Sequence, residues 1–310
     1  MKIAVIGAGA MGSLFGGLLS ENCNDVTLID VSKAHIDAIN ENGLFLTTDA
    51  GERYIKVPAR YVNEIEEKPD LIIIFTKTIY SANALDSAKH LIGEKTYVMT
   101  LQNGLGNAEL IEKYVPKEKI IVGMTNFPCD LIGPGKACSH GNGVVIAMSA
   151  DGQNYPFLKD VRETFNNAGL NCEISPDVFV HIWEKVAFNA ALNTLTAVTR
   201  LRIGDMSSTE QGHSLAFEIA KEVIGVANKT GVHADLEAVN KNLEMAFEYH
   251  KSHMPSMMQD TLAKRQTEVD FINGSVVREA EAVGMDVPVT RVMHLLVKII
   301  QQRYNEQILA

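Results

Sequence analysis

Three polar side chains recur at helical spacing in one apolar segment of the chain. Lys185, Asn189 and Asn193 are four residues apart, and the residues between them are mostly Ala, Val, Phe and Leu. A step of four overshoots one helical turn by about 40°, so the three side chains share one face of a predicted helix over Ile182–Asn193. Desolvation of an ammonium group there lowers its pKa, which suits a proton donor near neutral pH. The alternative is an exposed polar stripe, although a surface helix normally carries more charge.

A glycine-rich loop near the N-terminus offers a second kind of chemistry. It consists of Gly7, Ala8, Gly9, Ala10, Met11 and Gly12. In a G-x-G-x-x-G loop between a strand and a helix, Gly7 would permit the tight turn, Gly9 would let a pyrophosphate approach, and Gly12 would let helix and strand pack closely. The N–H groups at the start of the helix would then face the anion. The alternative is a Gly-rich turn without a ligand.

Asp30 completes the pattern expected of a dinucleotide site, because it stands 18 residues beyond Gly12 at the end of the second predicted strand. A carboxylate at this place accepts hydrogen bonds from the adenosine ribose hydroxyls and repels a 2′-phosphate, which favours NAD over NADP. Two alternatives stay open: Asp30 could cap the following turn, and Lys33 could serve a phosphate.

The elements that must position these groups alternate in the first half of the chain, as in a parallel sheet with crossover helices. The predicted strands are Lys2–Ile6, Asp25–Ile29, Leu71–Thr76, Tyr97–Leu101 and Ile120–Thr125, and the predicted helices are Ala10–Ser20 and Ala34–Asn40. Between Phe127 and Ser149, two short alternating segments predict antiparallel strands and no helix. The fold class is therefore α/β, with an N-terminal doubly wound sheet of the Rossmann type.

Two polar segments follow predicted strands at the edge where an open α/β sheet binds its ligands. Lys77 follows the Leu71–Thr76 strand, and Asn103 with Gly104 follows the Tyr97–Leu101 strand. Taken alone, they would be a surface lysine and a simple turn. Their position makes Lys77 and Asn103 candidates for contact with a bound dinucleotide.

Helical periodicity replaces the strand pattern from about residue 176. We therefore expect a Rossmann domain over residues 1–175, an all-helical domain over residues 176–310, and a ligand cleft between them. Ser256 and Gln259 have the spacing of a capping box, so Ser256 could simply begin a helix that runs through residues 267–274. Its acidic residues could be ordinary solvent-facing charges.

Composition excludes several classes of function. The chain has 28 Lys+Arg against 38 Asp+Glu, a net charge of −10, which argues against partners that are nucleic acids or anionic membranes. Its four cysteines form no C-x-x-C pair, so we expect neither a zinc site nor a disulfide framework but a protein of the reducing cytoplasm. The apolar run Leu71–Phe75 is far shorter than the roughly 20 residues that span a bilayer.

Over essentially its whole length, the chain resembles the ketopantoate reductases (2-dehydropantoate 2-reductases). The residues that carry the resemblance are the Gly7–Gly12 loop, Lys77, Asn103-Gly104, Lys185 with Asn189 and Asn193, Ser256-Met257 and the block Thr267–Gly274. The resemblance implies a Rossmann domain joined to a helical domain. It also implies NAD(P)H-dependent reduction of a 2-keto acid to a D-2-hydroxy acid, with ketopantoate and pantoate as the leading pair.

The resemblance also assigns roles within the helical domain. It implies that Lys185 is the general acid toward the forming alkoxide and that Glu268 supports both the lysine and the substrate. Asn103 would lie near the nicotinamide and the substrate. Asn189 and Asn193 would hold the polar groups of the substrate, and Ser256 would contact its carboxylate. No metal is implied, and a homodimer is left open.

One departure concerns the second strand. Many ketopantoate reductases carry an arginine at or next to its end, whereas this chain reads Ile29-Asp30-Val31-Ser32. It is similar there to the NAD-dependent D-2-hydroxyacid (D-mandelate type) dehydrogenases, which share the catalytic residues. Branched or aromatic 2-keto acids are therefore the alternative substrates. A non-catalytic dinucleotide sensor is the alternative from another class, and it would have no use for the polar residues of the helical domain.

Overall fold

The computed structural model describes residues 1–22 and 24–307. Backbone contacts divide the chain into two compact units. The first comprises Met1–Gln102 and Asn107–Val178, and the second comprises Asn103–Gly106 and the chain from Phe179 onward. The short segment after Gln102 therefore belongs with the helical part of the chain, although its neighbours in sequence do not.

The first unit alternates strands and helices. In chain order its elements are β1 (Lys2–Ile6), α1 (Ala10–Glu21), β2 (Asp25–Ile29), α2 (Lys33–Asn42), β3 (Leu44–Thr48), β4 (Gly51–Ile55), β5 (Ala59–Arg60), β6 (Leu71–Ile74), α3 (Ser81–Ala88), β7 (Tyr97–Thr100), α4 (Asn107–Ile111), β8 (Ile120–Thr125), β9 (Asp130–Gly133), β10 (Lys136–Cys138), β11 (Val145–Ser149), α5 (Pro156–Asn167) and β12 (Cys172–Ile174).

The larger sheet has the strand order β12-β11-β8-β7-β6-β1-β2-β5. β1 pairs in parallel with β2 on one side and with β6 on the other, so the direction of winding reverses at β1. Such a switch point, at the carboxyl ends of the strands, is where open α/β sheets bind ligands. The buried residues of β6 (Leu71–Ile74) are all aliphatic because helices cover both faces of a parallel sheet. The predicted doubly wound sheet is confirmed.

A second sheet has the order β4-β3-β10-β9. Its antiparallel pair β9 and β10 lies between Phe127 and Ser149, where antiparallel strands were predicted, whereas β3 and β4 were not predicted. Helix α1 packs between the two sheets, and its adjacent glycines make this possible. A Cβ atom on Gly16 would lie 2.3 Å from a methyl group of Leu28 in the larger sheet. A Cβ atom on Gly17 would lie 3.0 Å from Leu44 and 3.1 Å from Ile55 in the smaller one. The glycines of α1 therefore serve close packing on both sides.

The regular elements among the described residues of the second unit are all helices, as predicted. Its helices are α6 (Val178–Thr199), α7 (Ile203–Ser207), α8 (Glu210–Lys229), α9 (Leu236–Tyr249), α10 (Ser256–Leu262), α11 (Asn273–Ala282) and α12 (Pro288–Gln302). α6 begins at Val178, the last residue of the first unit. No helix among the described residues is long and apolar enough to cross a membrane.

The prediction of one helix from Ser256 through residues 267–274 is wrong. α10 ends at Leu262, and Lys264 adopts a left-handed conformation with φ of 53°. The N–H of Arg265 then donates to the carbonyl of Asp260 at 2.8 Å, and the N–H of Lys264 donates to Thr261 at 3.2 Å. These two bonds form a Schellman motif, which usually has glycine at the left-handed position. Because this position is a lysine rather than a glycine, the sequence contains no signal for the end of α10.

Candidate active site

The glycine loop between β1 and α1 has the tight geometry that its composition predicts. Gly7 has φ of 92°, and a Cβ atom there would lie 2.5 Å from the backbone nitrogen of Thr76. A Cβ atom on Gly12 would lie 2.0 Å from the carbonyl oxygen of Gly7. A Cβ atom on Gly9, in contrast, would have no protein atom within 4 Å. The protein itself therefore requires Gly7 and Gly12, whereas the space above Gly9 is open.

The start of α1 is suited to an anion. Gly9 is the N-cap residue, no side chain caps the helix, and its first turn contains no acidic residue. The first N–H groups of a helix need acceptors, and the helix dipole favours negative charge at this end. The open space at Gly9 and this uncapped terminus together fit the pyrophosphate of a dinucleotide.

Asp30 connects two loops through its carboxylate. One oxygen accepts from the N–H groups of Val31 at 2.8 Å and Ser32 at 2.9 Å, while the other accepts from the N–H of Ala8 at 2.9 Å. The turn-capping interpretation of Asp30 is therefore observed, and it joins the β2–α2 turn to the glycine loop. An ionised carboxylate offers about four acceptor positions, which leaves capacity for a ribose hydroxyl.

The other residues around Asp30 bear on phosphate selectivity. Lys33, the alternative phosphate ligand, makes an exposed ion pair with Asp37 at 2.6 Å. Val31 is 91% exposed directly beside Asp30. The position next to the end of β2 therefore presents an aliphatic side chain to solvent, and the nearest lysine along the chain has a carboxylate partner.

The carboxyl ends of β6 and β7 are joined by a network that sequence analysis missed. Gln102 Nε2 donates to the Thr76 carbonyl and, at 2.7 Å, to the Ser81 hydroxyl. Ser81 Oγ in turn lies 3.2 Å from Thr76 Oγ1. Lys77 lies directly after Thr76 and is half-buried rather than fully exposed. Gln102 thereby fixes the backbone from which Lys77 extends. In the sequence, the only signal for Gln102 is its position directly before Asn103.

Lys185 lies on α6 with Asn189 one turn later and Asn193 two turns later. Lys185 and Asn189 are half-buried, and Asn193 is 5% exposed. Burial lowers the pKa of Lys185 from 10.5 to about 8, while the carboxylate of Glu268 opposes part of this change. The predicted lowering is confirmed, and its cause is the predicted desolvation. An ammonium group with this pKa can release a proton near neutral pH.

Glu268 lies in the turn between α10 and α11, where it meets the Asn103–Gly106 segment. Asn103 Nδ2 donates to Glu268 Oε2 at 3.4 Å, and the N–H of Leu105 donates to the carbonyl of Phe271 at 2.9 Å. A Cβ atom on Gly104 would lie 2.2 Å from that carbonyl oxygen, so the close approach requires glycine. The structure thus groups Lys185, Glu268 and Asn103 within the second unit.

Ser256 is the first residue of α10 and is exposed. The capping-box interpretation is wrong: the N-cap residue is Pro255, and no side chain caps the helix. The side-chain amide of Gln259 instead donates through Nε2 to the carbonyl of Met254 at 2.9 Å. The Ser256 hydroxyl is therefore not used for helix capping, and its contact with a substrate stays a prediction, as do the substrate contacts of Asn189 and Asn193.

Comparison with known proteins assigns the chain to a family. The model described as "Ketopantoate reductase PanE/ApbA" matches residues 3–152, and the one described as "Ketopantoate reductase PanE/ApbA C terminal" matches residues 177–301. The chain belongs to the ketopantoate reductase family. The 2-dehydropantoate 2-reductase of Streptococcus pyogenes is 36% identical over 298 residues, which cover 96% of this chain and 97% of the relative.

Solved structures of related enzymes share the fold. A D-mandelate dehydrogenase solved with NADH and anilino(oxo)acetate superposes with a TM-score of 0.94 at 32% identity, covering 98% of this chain and all of the other. A ketopantoate reductase of the PanE/ApbA family from Ralstonia eutropha gives a TM-score of 0.91 at 28% identity, with 98% and 100% coverage. The resemblance found in the sequence is confirmed. As a member of this reductase family, the chain is a pyridine-nucleotide oxidoreductase.

Proposed function

We propose that this ketopantoate reductase family member reduces 2-dehydropantoate to pantoate, with a nicotinamide dinucleotide as the hydride donor. The observation that carries the proposal is the grouping of Lys185, Glu268 and Asn103, in which Lys185 has a pKa of about 8. The relative from Streptococcus pyogenes, named for this reaction, supports the choice of substrate.

The chemistry assigned to these residues follows from where charge develops. The bound dinucleotide supplies a hydride to the keto carbon, and negative charge then builds on the keto oxygen. The Lys185 ammonium stabilises this charge and donates its proton to the oxygen. Glu268 favours the charged form of Lys185 before the reaction and is itself held by the amide of Asn103. Asn189, Asn193 and Ser256 are assigned to the polar groups of the substrate.

We assign NAD rather than NADP as the preferred cofactor. Asp30 places a carboxylate at the end of β2, where it would repel a 2′-phosphate, and the exposed neighbour Val31 offers that phosphate no cation. The structurally similar D-mandelate dehydrogenase was solved with NADH. The pyrophosphate is assigned to the loop of Gly7, Ala8, Gly9, Ala10, Met11 and Gly12. Lys77 and Asn103 are assigned to the rest of the dinucleotide.

A second substrate class is favoured by one specific observation. The D-mandelate dehydrogenase that superposes over almost the whole chain binds an aromatic 2-keto acid analogue, anilino(oxo)acetate. A D-2-hydroxyacid dehydrogenase of this type would use the same lysine and carboxylate. The two substrates are separated by comparing kcat/KM, because discrimination reflects differential binding of the transition states.

The test is NADH and NADPH oxidation with ketopantoate, 2-ketoisovalerate and benzoylformate. Ketopantoate should give the highest kcat/KM, and a preference for benzoylformate would establish the second class instead. Lys185→Ala should lower turnover by orders of magnitude while NADH affinity stays nearly unchanged, and full turnover by this variant would contradict the general-acid role. No turnover with any acid, in a folded sample that binds NADH, would leave only the non-catalytic sensor.

The finer organisation of the protein is also part of this proposal. We assign cofactor binding to residues 1–175 and substrate binding and self-association to residues 176–310. A homodimer is supported by α12, where Val292, Leu295, Leu296 and Ile299 form one apolar stripe with exposures between 38% and 60%. Cys129, Cys138 and Cys172 are free thiols, which fits the cytoplasm.

A further inference from the structure

The turn that carries Glu268 is attached to α12 on both sides of this residue. Before Glu268, the N–H and hydroxyl of Thr267 donate to Gln301 Oε1 at 3.2 and 2.8 Å. After it, the carboxylate of Asp270 accepts from His294 Nε2 at 2.8 Å and from Lys298 Nζ at 2.6 Å. His294, Lys298 and Gln301 follow one another at four- and three-residue spacing, so they share one face of α12.

Asp270 is the charged centre of this attachment. His294 and Lys298 together lower the pKa of Asp270 to about 2, so the carboxylate is ionised throughout the neutral range. Because a carboxylate only accepts hydrogen bonds, the bonded His294 nitrogen must carry the proton. Arg278 on α11 also donates to the carbonyl of Asp270 at 3.1 Å. His294 and Lys298 are only 18% and 30% exposed, which weakens screening by solvent.

The same turn and the first residue of α11, Asn273, contact the elements that hold the other two members of the site. The carbonyl of Phe271 accepts from Leu105, two residues after Asn103, and the amide of Asn273 donates to the carbonyl of Ala190 on α6 at 3.2 Å. A shift of the turn against α12 would therefore move Glu268 relative to both Asn103 and Lys185.

We propose that Asp270, held by His294 and Lys298, is a positioning residue that fixes Glu268 against Lys185 and Asn103 during reduction. This role rests on the proposed function of Lys185 and Glu268. Glu268 acts electrostatically on Lys185, the proposed general acid, whereas Asp270 acts only through the turn. Helix α12 thereby supports the turn that carries Glu268, the carboxylate that raises the pKa of Lys185.

The principal test is Asp270→Asn, which keeps the size of the side chain but removes its charge. We expect kcat to fall by about tenfold to a hundredfold, the loss typical of a catalytic group displaced by about 1 Å. The Kd for NADH should stay within about twofold, because the glycine loop lies in the other unit. The matched control is Arg291→Met, which breaks the ion pair between Arg291 on α12 and Glu281 on α11, away from the turn. The control should keep wild-type kcat.

Two variants of His294 distinguish a positioning role from general destabilisation. His294→Gln can still donate to Asp270 and should retain most of kcat, whereas His294→Leu cannot and should match Asp270→Asn. Equal activity of the two His294 variants would overturn the role of this hydrogen bond, even if Asp270→Asn failed to fold.

A measurement without turnover separates this inference from the proposed function. The pKa of Lys185 can be read from a 13Cε NMR titration of labelled lysine, assigned with Lys185→Arg. Because Glu268 raises the pKa of Lys185, Asp270→Asn should lower it below the wild-type value of about 8. A lowered pKa in a protein that reduces none of the three acids would support positioning and refute the proposed reaction. An unchanged pKa with unchanged kcat would refute positioning alone.

Discussion

Replacing the proposed general acid should make the protein more stable while it abolishes turnover. Burial lowers the pKa of Lys185 from 10.5 to about 8 even with Glu268 nearby. The charged lysine is therefore disfavoured in the folded protein relative to the unfolded chain. Lys185→Met keeps the length and the apolar part of the side chain but removes the charge.

The size of the effect follows from the pKa change. At about 1.4 kcal/mol per pKa unit, the penalty at pH 7 is at most about 3.5 kcal/mol. Lys185 keeps partial exposure, so we expect the free energy of unfolding of Lys185→Met to exceed that of the wild type by about 1–3 kcal/mol. The attraction to Glu268 is already contained in this net value.

The dependence on pH provides the sharper test. Between about pH 8 and pH 10.5 the unfolded chain binds more protons at this lysine than the folded protein, so the destabilisation that Lys185 causes in the wild type falls as pH rises through this window. The advantage of Lys185→Met should be constant below about pH 8 and should vanish toward pH 10.5. Urea unfolding at a series of pH values measures both quantities.

The control is Lys221→Met on α8, whose lysine is 67% exposed in a loose ion pair with Glu218. It should change the free energy of unfolding by less than about 0.5 kcal/mol at any pH. If Lys185→Met were as stable as the wild type at pH 7, or if its advantage grew above pH 8, the desolvation argument would fail.

Three further predictions concern the proposed cofactor site and the outer face of α12. Gly9→Ala should weaken NADH binding by about tenfold or more without loss of stability, because only the ligand would meet the new methyl group. The control Gly133→Ala on β9, where a Cβ atom also has open space, should change neither NADH affinity nor stability. Gly12→Ala should destabilise the fold. Calorimetric titration measures the NADH affinity, and urea unfolding measures the stability. Asp30→Asn combined with Val31→Arg should raise the ratio of kcat/KM for NADPH to that for NADH by about tenfold or more, and an unchanged ratio would count against Asp30 as the selector. Leu295→Glu should shift the mass measured by light scattering from dimer to monomer, whereas equal masses for variant and wild type would remove this stripe from the interface.

Local patterns predicted most strands of the larger sheet. β1 and β2 have the predicted bounds, since short apolar runs between glycine- and asparagine-rich turns are recognisable without tertiary information. In the second sheet, β3 and β4 were not predicted because they are partly exposed and contain polar residues, so no continuous apolar run marks them. The packing of β3 and β4 against α1 explains why residue 17 is a glycine, which the glycine loop alone does not require.

In the helical unit, the sequence showed which residues could do chemistry but not what holds them. The face shared by Lys185, Asn189 and Asn193 follows from helical geometry alone. The attachment of Asp270 to His294, 24 residues away, arises only when two helices pack, and no local spacing encodes it. The end of α10 at the left-handed Lys264 could not be predicted either, because glycine is the residue that normally marks such a position.

The position of Glu268 influences how strongly Lys185, the proposed general acid, holds its proton. Burial alone would push the pKa of Lys185 below about 8, and a lysine neutral at pH 7 has no proton to donate. A closer carboxylate would hold the proton more tightly and weaken the acid. At a pKa of about 8, roughly 90% of the lysine is charged at pH 7 and the proton is still readily released. The turn between α10 and α11 therefore has to hold Glu268 within a narrow range of distances, which is the physical reason for attaching that turn to α12 on both sides of the carboxylate.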